Sequence, residues 1–442
     1  MSFSSQQLHE ALRSCSLRLS LQPTCYWVAF SGGMDSHVLL HAMAQCRAEM
    51  NIQVKAVYVE HGLQSDSHLW AEHCETVCQA YDIPLTILHV DAVAKKGESP
   101  EAAARKARYD ALASVVSEND VMLTAQHERD QSETVFLQLL RGAGTRGLSA
   151  MPALTRLGKG HLYRPLLNVA YSALQDYAQQ QALQWVDDPT NQQRRFDRNL
   201  LRHDVMPLLR KRWPSLDTTV LRVASQQAEA QQLLAELAEH DSEALIDESG
   251  TLAILGLIEL SAIRQRNVLR YWLENRDMRP PSAKKLAQIQ HDAVNAAKDR
   301  RPCVSWSGCE VRRYRDRLYA MNPLKDLDNH LSIDWQPGKT LVLPASSGTL
   351  LSRPVTGHGV IIQGQSTLKY RRGGERCQPA GKMGHTSLKK LFQEAGIPPW
   401  QRNRTPLVYV GDELAAVAGL CICEPFVASG EMTGFELEWQ PA

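Results

Sequence analysis

Over roughly the first 150 residues, short apolar runs rich in β-branched and aromatic side chains alternate with longer stretches whose apolar positions fall at helical spacing. Tyr26–Phe30, Val54–Val59, Leu85–Val90 and Val121–Thr124 are the strand candidates, and each interval between them is long enough for a crossover helix. That alternation predicts an α/β fold, a doubly wound parallel sheet with helices on both faces. Ser99-Pro100-Glu101, followed by AAARKARYDALASVV, predicts a helix capped by Ser99 with Pro100 at its first position. From about 216 to 300 the strand pattern stops, and three segments with helical spacing predict a small helical domain, closed by strands at Cys303–Ser307 and Arg317–Ala320. The polar run Asn322–Asn329 reads as a linker. Beyond about 335, short alternating strands such as Thr340–Leu343 and Gly359–Ile362 and one helix at 386–396 predict a small α+β domain. The expected division is therefore 1–215 (doubly wound α/β), 216–322 (mainly helical), 323–340 (linker) and 341–442 (α+β).

Composition narrows this picture without changing it. A chain of 442 residues with 43% hydrophobic and 22% charged residues is a folded multidomain protein, not a disordered or fibrous one. Lys+Arg at 49 against Asp+Glu at 48 excludes a uniformly basic nucleic-acid coat, so any basic surface must be local. The N-terminal segment lacks the apolar core of a secretory signal and no apolar run is long enough to cross a membrane, which predicts a cytoplasmic location with no membrane partner. The ten cysteines show neither CxxC nor a zinc-type Cys/His spacing, and read as reduced core thiols.

The sharpest chemical signal is the run Val28-Ala29-Phe30-Ser31-Gly32-Gly33-Met34-Asp35-Ser36, a strand that turns through two glycines into an apolar helix. Two glycines let backbone N–H groups point inward, and the helix adds its positive N-terminal end, so Ser31, Gly32, Gly33, Met34, Asp35 and Ser36 can seat a polyphosphate. Asp35 beside phosphate requires a bridging cation, for which Mg²⁺ is the natural choice. No GxxxxGK[ST] motif occurs, and Gly142–Gly147 satisfies GxGxxG only after a helical run, not after a strand. The strings Glu60-His61-Gly62-Leu63 and His127-Glu128-Arg129-Asp130-Gln131-Ser132-Glu133 end the second and fourth strands, where ligands gather in an open parallel sheet. Asp130 and Glu133, three apart at a helix start, can bind an ammonium, hold Mg²⁺ or act as a general base.

The Ser-Gly-Gly-x-Asp-Ser loop resembles that of the ATP pyrophosphatases, the PP-loop superfamily. With the Glu60–Leu63 and His127–Thr134 strings, Arg141-Gly142-x-Gly144, Asp188–Asn191, Phe196–Arg202, Arg371–Arg376, Leu388–Glu394 and Pro398–Arg404, the chain resembles the tRNA(Ile)-lysidine synthetases over nearly its whole length. It departs from that family's pattern at Glu60, usually Asp, at Gln64, commonly Arg, and at Arg129, commonly a second Asp, which shifts the expected lysine contacts to Asp130 and Glu133. The resemblance implies a PP-loop adenylating domain followed by two tRNA-binding domains. It also implies ATP and Mg²⁺ as cofactors, a tRNA(Ile) with a CAU anticodon and free lysine as partners, and a homodimer as in other members. The wobble cytidine would be adenylated at its C2 oxygen and lysine joined at C2, releasing AMP and pyrophosphate. In this reading Asp35 and Asp130 are catalytic and Asp35 also binds the metal. The loop 31–36 with Arg105 and Arg108 binds ATP, and Glu133 and His127 bind substrate. Arg198, Asn199, Arg202, Arg371, Arg372 and Lys389 contact the tRNA.

Two basic runs agree with a gripped RNA: 194–212 and 369–404 are both rich in Lys and Arg, and Arg312-Arg313-Tyr314-Arg315 adds a third patch. The alternatives are another adenylating enzyme, such as a tRNA thiolase or an amide synthetase, and a non-catalytic tRNA-binding protein on an inactive nucleotide fold.

Overall fold

The structure, a computed structural model, describes residues 2–60, 67–91, 93, 100–187, 193–295, 300 and 302–441. The expected Ser99 cap and the strings His61–Leu63 and Asp188–Asn191 lie outside the described residues. The chain forms two compact units, Met1–Leu234 and Ala235–Ala442.

The first unit runs α1 (Ser5–Leu19), β1 (Cys25–Ala29), α2 (Met34–Met50), β2 (Gln53–Glu60), α3 (Ser67–Ala80), β3 (Leu85–His89), α4 (Pro100–Val115), β4 (Asp120–Leu123) and α5 (Glu128–Leu140). Then follow α6 (Thr145–Leu148), β5 (Leu154–Leu157), β6 (Gly160–Tyr163), α7 (Tyr171–Gln180), α8 (Asp197–Leu200), a π-helical turn at Leu201–Val205, α9 (Met206–Arg212) and the start of α10 (Leu216–Ser242). The sheet order is β3-β2-β1-β4-β6-β5, parallel except for β5 against β6. Val28 sits opposite Ala56 on one side and Leu123 on the other.

β1 is apolar throughout because both of its faces are covered, as a central parallel strand requires. Tyr26 and Val28 join a core with Leu8, Leu12, Leu39, Leu40, Cys74 and Leu174, from α1, α2, α3 and α7. Cys25 and Trp27 join a second core with Leu112, Val116 and Met122. The four expected strands and the helices on both faces are therefore present. Since β2 and β4 flank β1, the chain reverses its winding direction at β1, and the carboxyl ends of β1 and β4 form the switch point where doubly wound sheets bind ligands.

The β5–β6 hairpin was not legible in the sequence. Its strands have four residues each, with Arg156 and His161 among them and Gly158 (φ +55°) in the turn, so the apolar alternation is too short to register. Gly160 fits where no side chain can: a Cβ there would lie 2.4 Å from the Ser117 carbonyl oxygen and 2.6 Å from that of Asp120.

The second unit opens with a four-stranded antiparallel sheet, order β7-β10-β9-β8, made of β7 (Leu252–Ala253), β8 (Cys303–Trp306), β9 (Cys309–Tyr314) and β10 (Arg317–Met321). Leu252, Val304, Val311 and Leu318 of these strands pack against Val268, Leu269, Trp272 and Leu273 of the helix Ala262–Glu274. β9 carries the expected third basic patch, and the structure corrects that reading for Arg313. Its side chain is buried, and its guanidinium donates to the carbonyls of Ala293 (3.2 Å), Val294 (3.0 Å) and Arg315 (3.0 Å), so it closes a loop onto the sheet.

Beyond residue 330 lie a five-stranded sheet (Ser332–Trp335, Ser366–Lys369, Leu407–Val410, Glu413–Val417, Cys421–Ile422), a three-stranded one (Leu341–Val342, Thr349–Thr356, Thr433–Gln440) and the pair Arg376–Cys377 with Thr386–Ser387. The expected helix is Leu388–Glu394. The expected strand at Gly359–Ile362 reduces to isolated bridges at Val360.

Replacing Gly160 by Ala should lower the thermal midpoint of the full chain, with an overpacking cost of about 1–3 kcal/mol because the clashing atoms are backbone. Differential scanning calorimetry of G160A against the wild type checks this, and an unchanged midpoint would contradict the close approach.

Candidate active site

Ser31 follows β1 directly, and the loop it begins is closed by one hydroxyl. Ser36 Oγ accepts from the Ser31 N–H (3.2 Å), donates to the Gly33 carbonyl (2.9 Å) and lies 3.1 Å from Ser31 Oγ. Gly32 has φ +77°, and a Cβ there would sit 3.3 Å from Cys74 Sγ, so both backbone freedom and space favour glycine. Gly33 is the N-cap of α2 and offers no side chain to the helix, which leaves the first-turn N–H groups available to an anion. Asp35, in that first turn, has a buried Oδ1 with no hydrogen-bond partner.

Across the switch point, His127 caps α5. Its Nδ1 accepts from the Arg129 N–H (3.2 Å), while Asp130 Oδ2 accepts from the His127 N–H (3.2 Å), a reciprocal capping box. The acceptor role of Nδ1 assigns the ring proton to Nε2, which faces Asp35 Oδ2 at 3.5 Å and Asp130 Oδ2 at 3.4 Å. Burial alone would push the imidazole pKa down, but the charge of Asp130 and the contact with Asp35 outweigh it, and the pKa is raised. His127 thus links the phosphate loop to α5.

Asp130 and Glu133 occupy one face of α5, as their spacing predicts, and meet two arginines on the segment that follows α7. Glu133 Oε1 accepts from Arg202 Nε (2.7 Å), and its Oε2 from Arg198 Nε (3.0 Å) and Arg202 Nη2 (2.8 Å). Asp130 Oδ1 accepts from Arg198 Nη2 (3.0 Å) and Arg202 Nη2 (2.7 Å). Glu133 is 1% exposed, so the cluster is a buried, charge-assisted network. Burial would raise the Asp130 pKa, but His127, Arg198 and Arg202 hold its carboxyl below the ordinary value; Arg202 is likewise raised by Glu133 against its own burial.

All four carboxylate oxygens therefore face cations or N–H donors of the chain itself. The residues expected to take lysine (Glu133) and tRNA phosphate (Arg198, Arg202) are brought together, but onto one another. Each arginine keeps part of its side chain open, 24% for Arg198 and 35% for Arg202. Arg194 pairs with Asp204 and Arg210 with Asp217, so within 194–212 the exposed basic side chains without a carboxylate among these pairs are Arg195, Lys211 and Arg212. Asn199 Nδ2 donates to the Gln193 carbonyl (3.0 Å).

Arg105 and Arg108 of α4 flank Tyr109, with guanidinium carbons 4.9 and 5.6 Å from its ring. Arg105 is exposed. Burial pushes the Arg108 guanidinium down, and the charges of Arg198 and Asp130 reach it, so it lies beside the ion cluster. Arg164, at the carboxyl end of β6, also hydrogen-bonds Tyr109; it is buried and its Nε has no partner. Arg164 was not legible in the sequence, because a lone arginine after a short strand carries no motif. Arg129, the charge reversal noted above, stacks its guanidinium 4.2 Å from the Tyr171 ring and makes no ion pair with Asp130 or Glu133 among the described contacts.

In the second unit, Arg372 donates to the carbonyls of Asn329 (3.2 Å) and His330 (2.9 Å), Arg371 lies 3.8 Å from Glu375, and Lys389 is exposed on the helix Leu388–Glu394. A cavity of about 280 Å³ opens among Arg312, Lys325, Asp326, Trp400, Asn403 and Arg404. The Arg312 guanidinium lies 5.3 Å from the Trp400 ring, and the Trp400 Nε1 has no partner.

The PP-loop domain family matches residues 4–209, the TilS substrate binding domain 252–319 and the TilS substrate C-terminal domain 366–439. Over 94% of the chain and 93% of the relative, the sequence is 45% identical to the tRNA(Ile)-lysidine synthase of Coxiella burnetii. It is 42% identical to that of Methylococcus capsulatus over 96% and 99%, and 40% identical to that of Serratia proteamaculans over 93% and 95%. The chain belongs to the tRNA(Ile)-lysidine synthase family. The expected resemblance and the α/β class stand, and as a member of the tRNA(Ile)-lysidine synthase family the chain is an enzyme with a PP-loop ATP-binding domain.

The titrations of the cluster have opposite pH senses. Asp130, lowered below 3.8, contributes stability in full above that value and loses it as pH falls through the lowered pKa; His127, raised above 6.5, contributes in full below 6.5 and loses it as pH rises through the raised value. D130N should flatten the acid limb of the midpoint-versus-pH curve and cost roughly 2 kcal/mol at neutral pH, the scale of hydrogen bonds to charged groups. Thermal melts between pH 3 and 9 would check this, and parallel curves for the two proteins would count against the cluster.

Proposed function

We propose that the chain is a tRNA(Ile)-lysidine synthetase, an AMP-forming ligase. It would join the ε-amine of free lysine to C2 of the wobble cytidine in the CAU anticodon of tRNA(Ile). The observation that carries this reading is the juxtaposition of the Ser31–Ser36 loop with the His127–Asp130–Glu133 face at one switch point, in a chain related along almost all its length to enzymes of that name.

In the first step the cytosine C2 oxygen attacks the α-phosphate of ATP and pyrophosphate leaves. The amides of the α2 first turn and the Ser31 and Ser36 hydroxyls receive the departing phosphates, with Arg105 and Arg108 on the nucleotide side. Asp35 fits a Mg²⁺ site: its buried Oδ1 has no hydrogen-bond partner, and the residue lies in the first turn of α2, beside the proposed phosphate loop. Bound there, Mg²⁺ would offset the repulsion between carboxylate and phosphate oxygens.

In the second step the lysine amine attacks C2 and AMP leaves. The amine must lose a proton, since free lysine has a pKa of about 10.4. Asp130, held ionised by two arginines, suits an ammonium better than it suits uptake of a proton; His127, whose Nε2–H already points toward Asp35 and Asp130, orients these carboxylates, and the proton of the amine passes through Asp35 to solvent. Glu133 acts through Arg198 and Arg202, whose open edges can take the lysine carboxylate or a phosphate.

We assign adenylation to 1–215 and tRNA positioning to 216–322 and 341–442; of the expected linker 323–340, Ser332–Trp335 is instead a strand of the C-terminal five-stranded sheet. In this assignment Asn199, Arg371, Arg372, Lys389 and the Arg312–Trp400–Arg404 cavity meet RNA, the aromatic ring by stacking. A homodimer and a cytoplasmic location belong to the same proposal.

Incubation with CAU-anticodon tRNA(Ile), ATP, Mg²⁺ and radiolabelled lysine should give lysine-dependent label on the RNA with equimolar AMP. D35N should lower the rate at least a hundredfold while tRNA affinity stays within about twofold. AMP release without lysine on the RNA would move the substrate to another adenylating enzyme, and D35N activity at the wild-type level would remove Asp35 from the mechanism.

A further inference from the structure

Among the ten cysteines, Cys377, Cys421 and Cys423 depart from the expectation of isolated core thiols. Their sulfurs all lie within 4.8 Å of one another, although 377 is far from 421 in sequence and the 421/423 pair has only one residue between its members. The fold, not the spacing, assembles them. Cys377 ends the strand Arg376–Cys377, paired with Thr386–Ser387, while Cys421 lies on the edge strand Cys421–Ile422 of the five-stranded sheet.

The loop after Cys377 is laid along the second cysteine segment by main-chain bonds. Ala380 N–H donates to the Ile422 carbonyl (2.9 Å) and Glu424 N–H to the Gln378 carbonyl (2.8 Å), and Cys423 N–H is fixed to the Ala415 carbonyl (2.8 Å). Leu388, Leu391, Phe392, Leu407 and Val417 surround the group, with Cys377 and Cys423 buried and Cys421 half-buried, so the site is walled and has one open side.

We propose that Cys377, Cys421 and Cys423 form a thiolate site for a thiophilic divalent cation of the Zn²⁺ class, with His385 closing the fourth position.

Tetrahedral zinc with Zn–S near 2.3 Å places its sulfurs about 3.8 Å apart, so the observed triangle closes onto an ion with sub-ångström movement. Three thiol groups packed together without an ion have few acceptors to share. His385 is exposed and directly precedes Thr386, the residue paired with Cys377. Binding would deprotonate the thiols, release the protons to solvent and tie the loop 378–385 to the sheet edge. The sequence concealed this site because neither CxC nor a distant third cysteine matches the usual paired zinc knuckles.

The test is cobalt substitution on the full chain, reduced and stripped by a chelator. One Co²⁺ per chain should bind, with thiolate-to-cobalt charge-transfer absorption and tetrahedral d–d bands, and one equivalent of Zn²⁺ should bleach both. C377A and C421S should lose at least tenfold in Co²⁺ affinity, and H385A should lose less. C303A, which removes the exposed thiol of β8, should bind as the wild type does. A wild-type chain that shows no thiolate–cobalt band overturns the proposal whatever the variants do. A folded C421S that binds unchanged overturns it too, as does a Cys377–Cys421 disulfide recovered quantitatively from gently handled protein.

Discussion

Two carboxylates on the inward face of a helix's first turns set the terms for this active site. Asp130 and Glu133 are carried inward by α5 because that helix starts at the carboxyl end of β4, and buried ionised groups need partners within hydrogen-bond reach. The chain supplies them from the segment 197–205, where Arg198 and Arg202 stand one helical turn apart and match the spacing of the two acids. Removing either side would leave uncompensated charge, so the network fixes the segment after α7 against α5 and, through His127, aligns α5 with the phosphate loop.

The same constraint explains the division of labour within the site. The arginines occupy the carboxylates, so Asp130 and Glu133 orient the guanidiniums, whose open edges are where the proposed recognition of substrate would fall. Asp35 is the exception. It shares His127 with Asp130, yet keeps one buried oxygen unpartnered, the position of the proposed Mg²⁺ contact. Arg108 and buried Arg164, gathered around Tyr109, add positive charge on the side proposed for the nucleotide.

Much of this was legible in the chain itself. β1 to β4 announce themselves as apolar runs because central parallel strands are buried on both faces, and Ser31–Ser36 and His127–Glu133 sit where those strands end. The reading failed where side chains serve two roles. The run 194–212 looks like a phosphate-binding surface by composition, but Arg194, Arg198, Arg202 and Arg210 are neutralised by acids, two of them from a helix more than sixty positions upstream. Arg313 in β9 looked like a surface cation and is a buried clasp. The β5–β6 hairpin is too short and too polar to show a period, and the meeting of Cys377 with Cys421 and Cys423 depends on strand pairing that no local spacing encodes.

The account rests on Glu133 acting through the arginines, and a double-mutant cycle of E133Q and R202Q, read by unfolding free energy, measures that coupling directly. Residues joined in one charged network show interaction energies of about 0.5–3 kcal/mol. A coupling above about 1 kcal/mol is expected, with E133Q costing less in the R202Q background than in the wild type and the remainder reflecting its bond to Arg198. Additive losses in the double variant would contradict it.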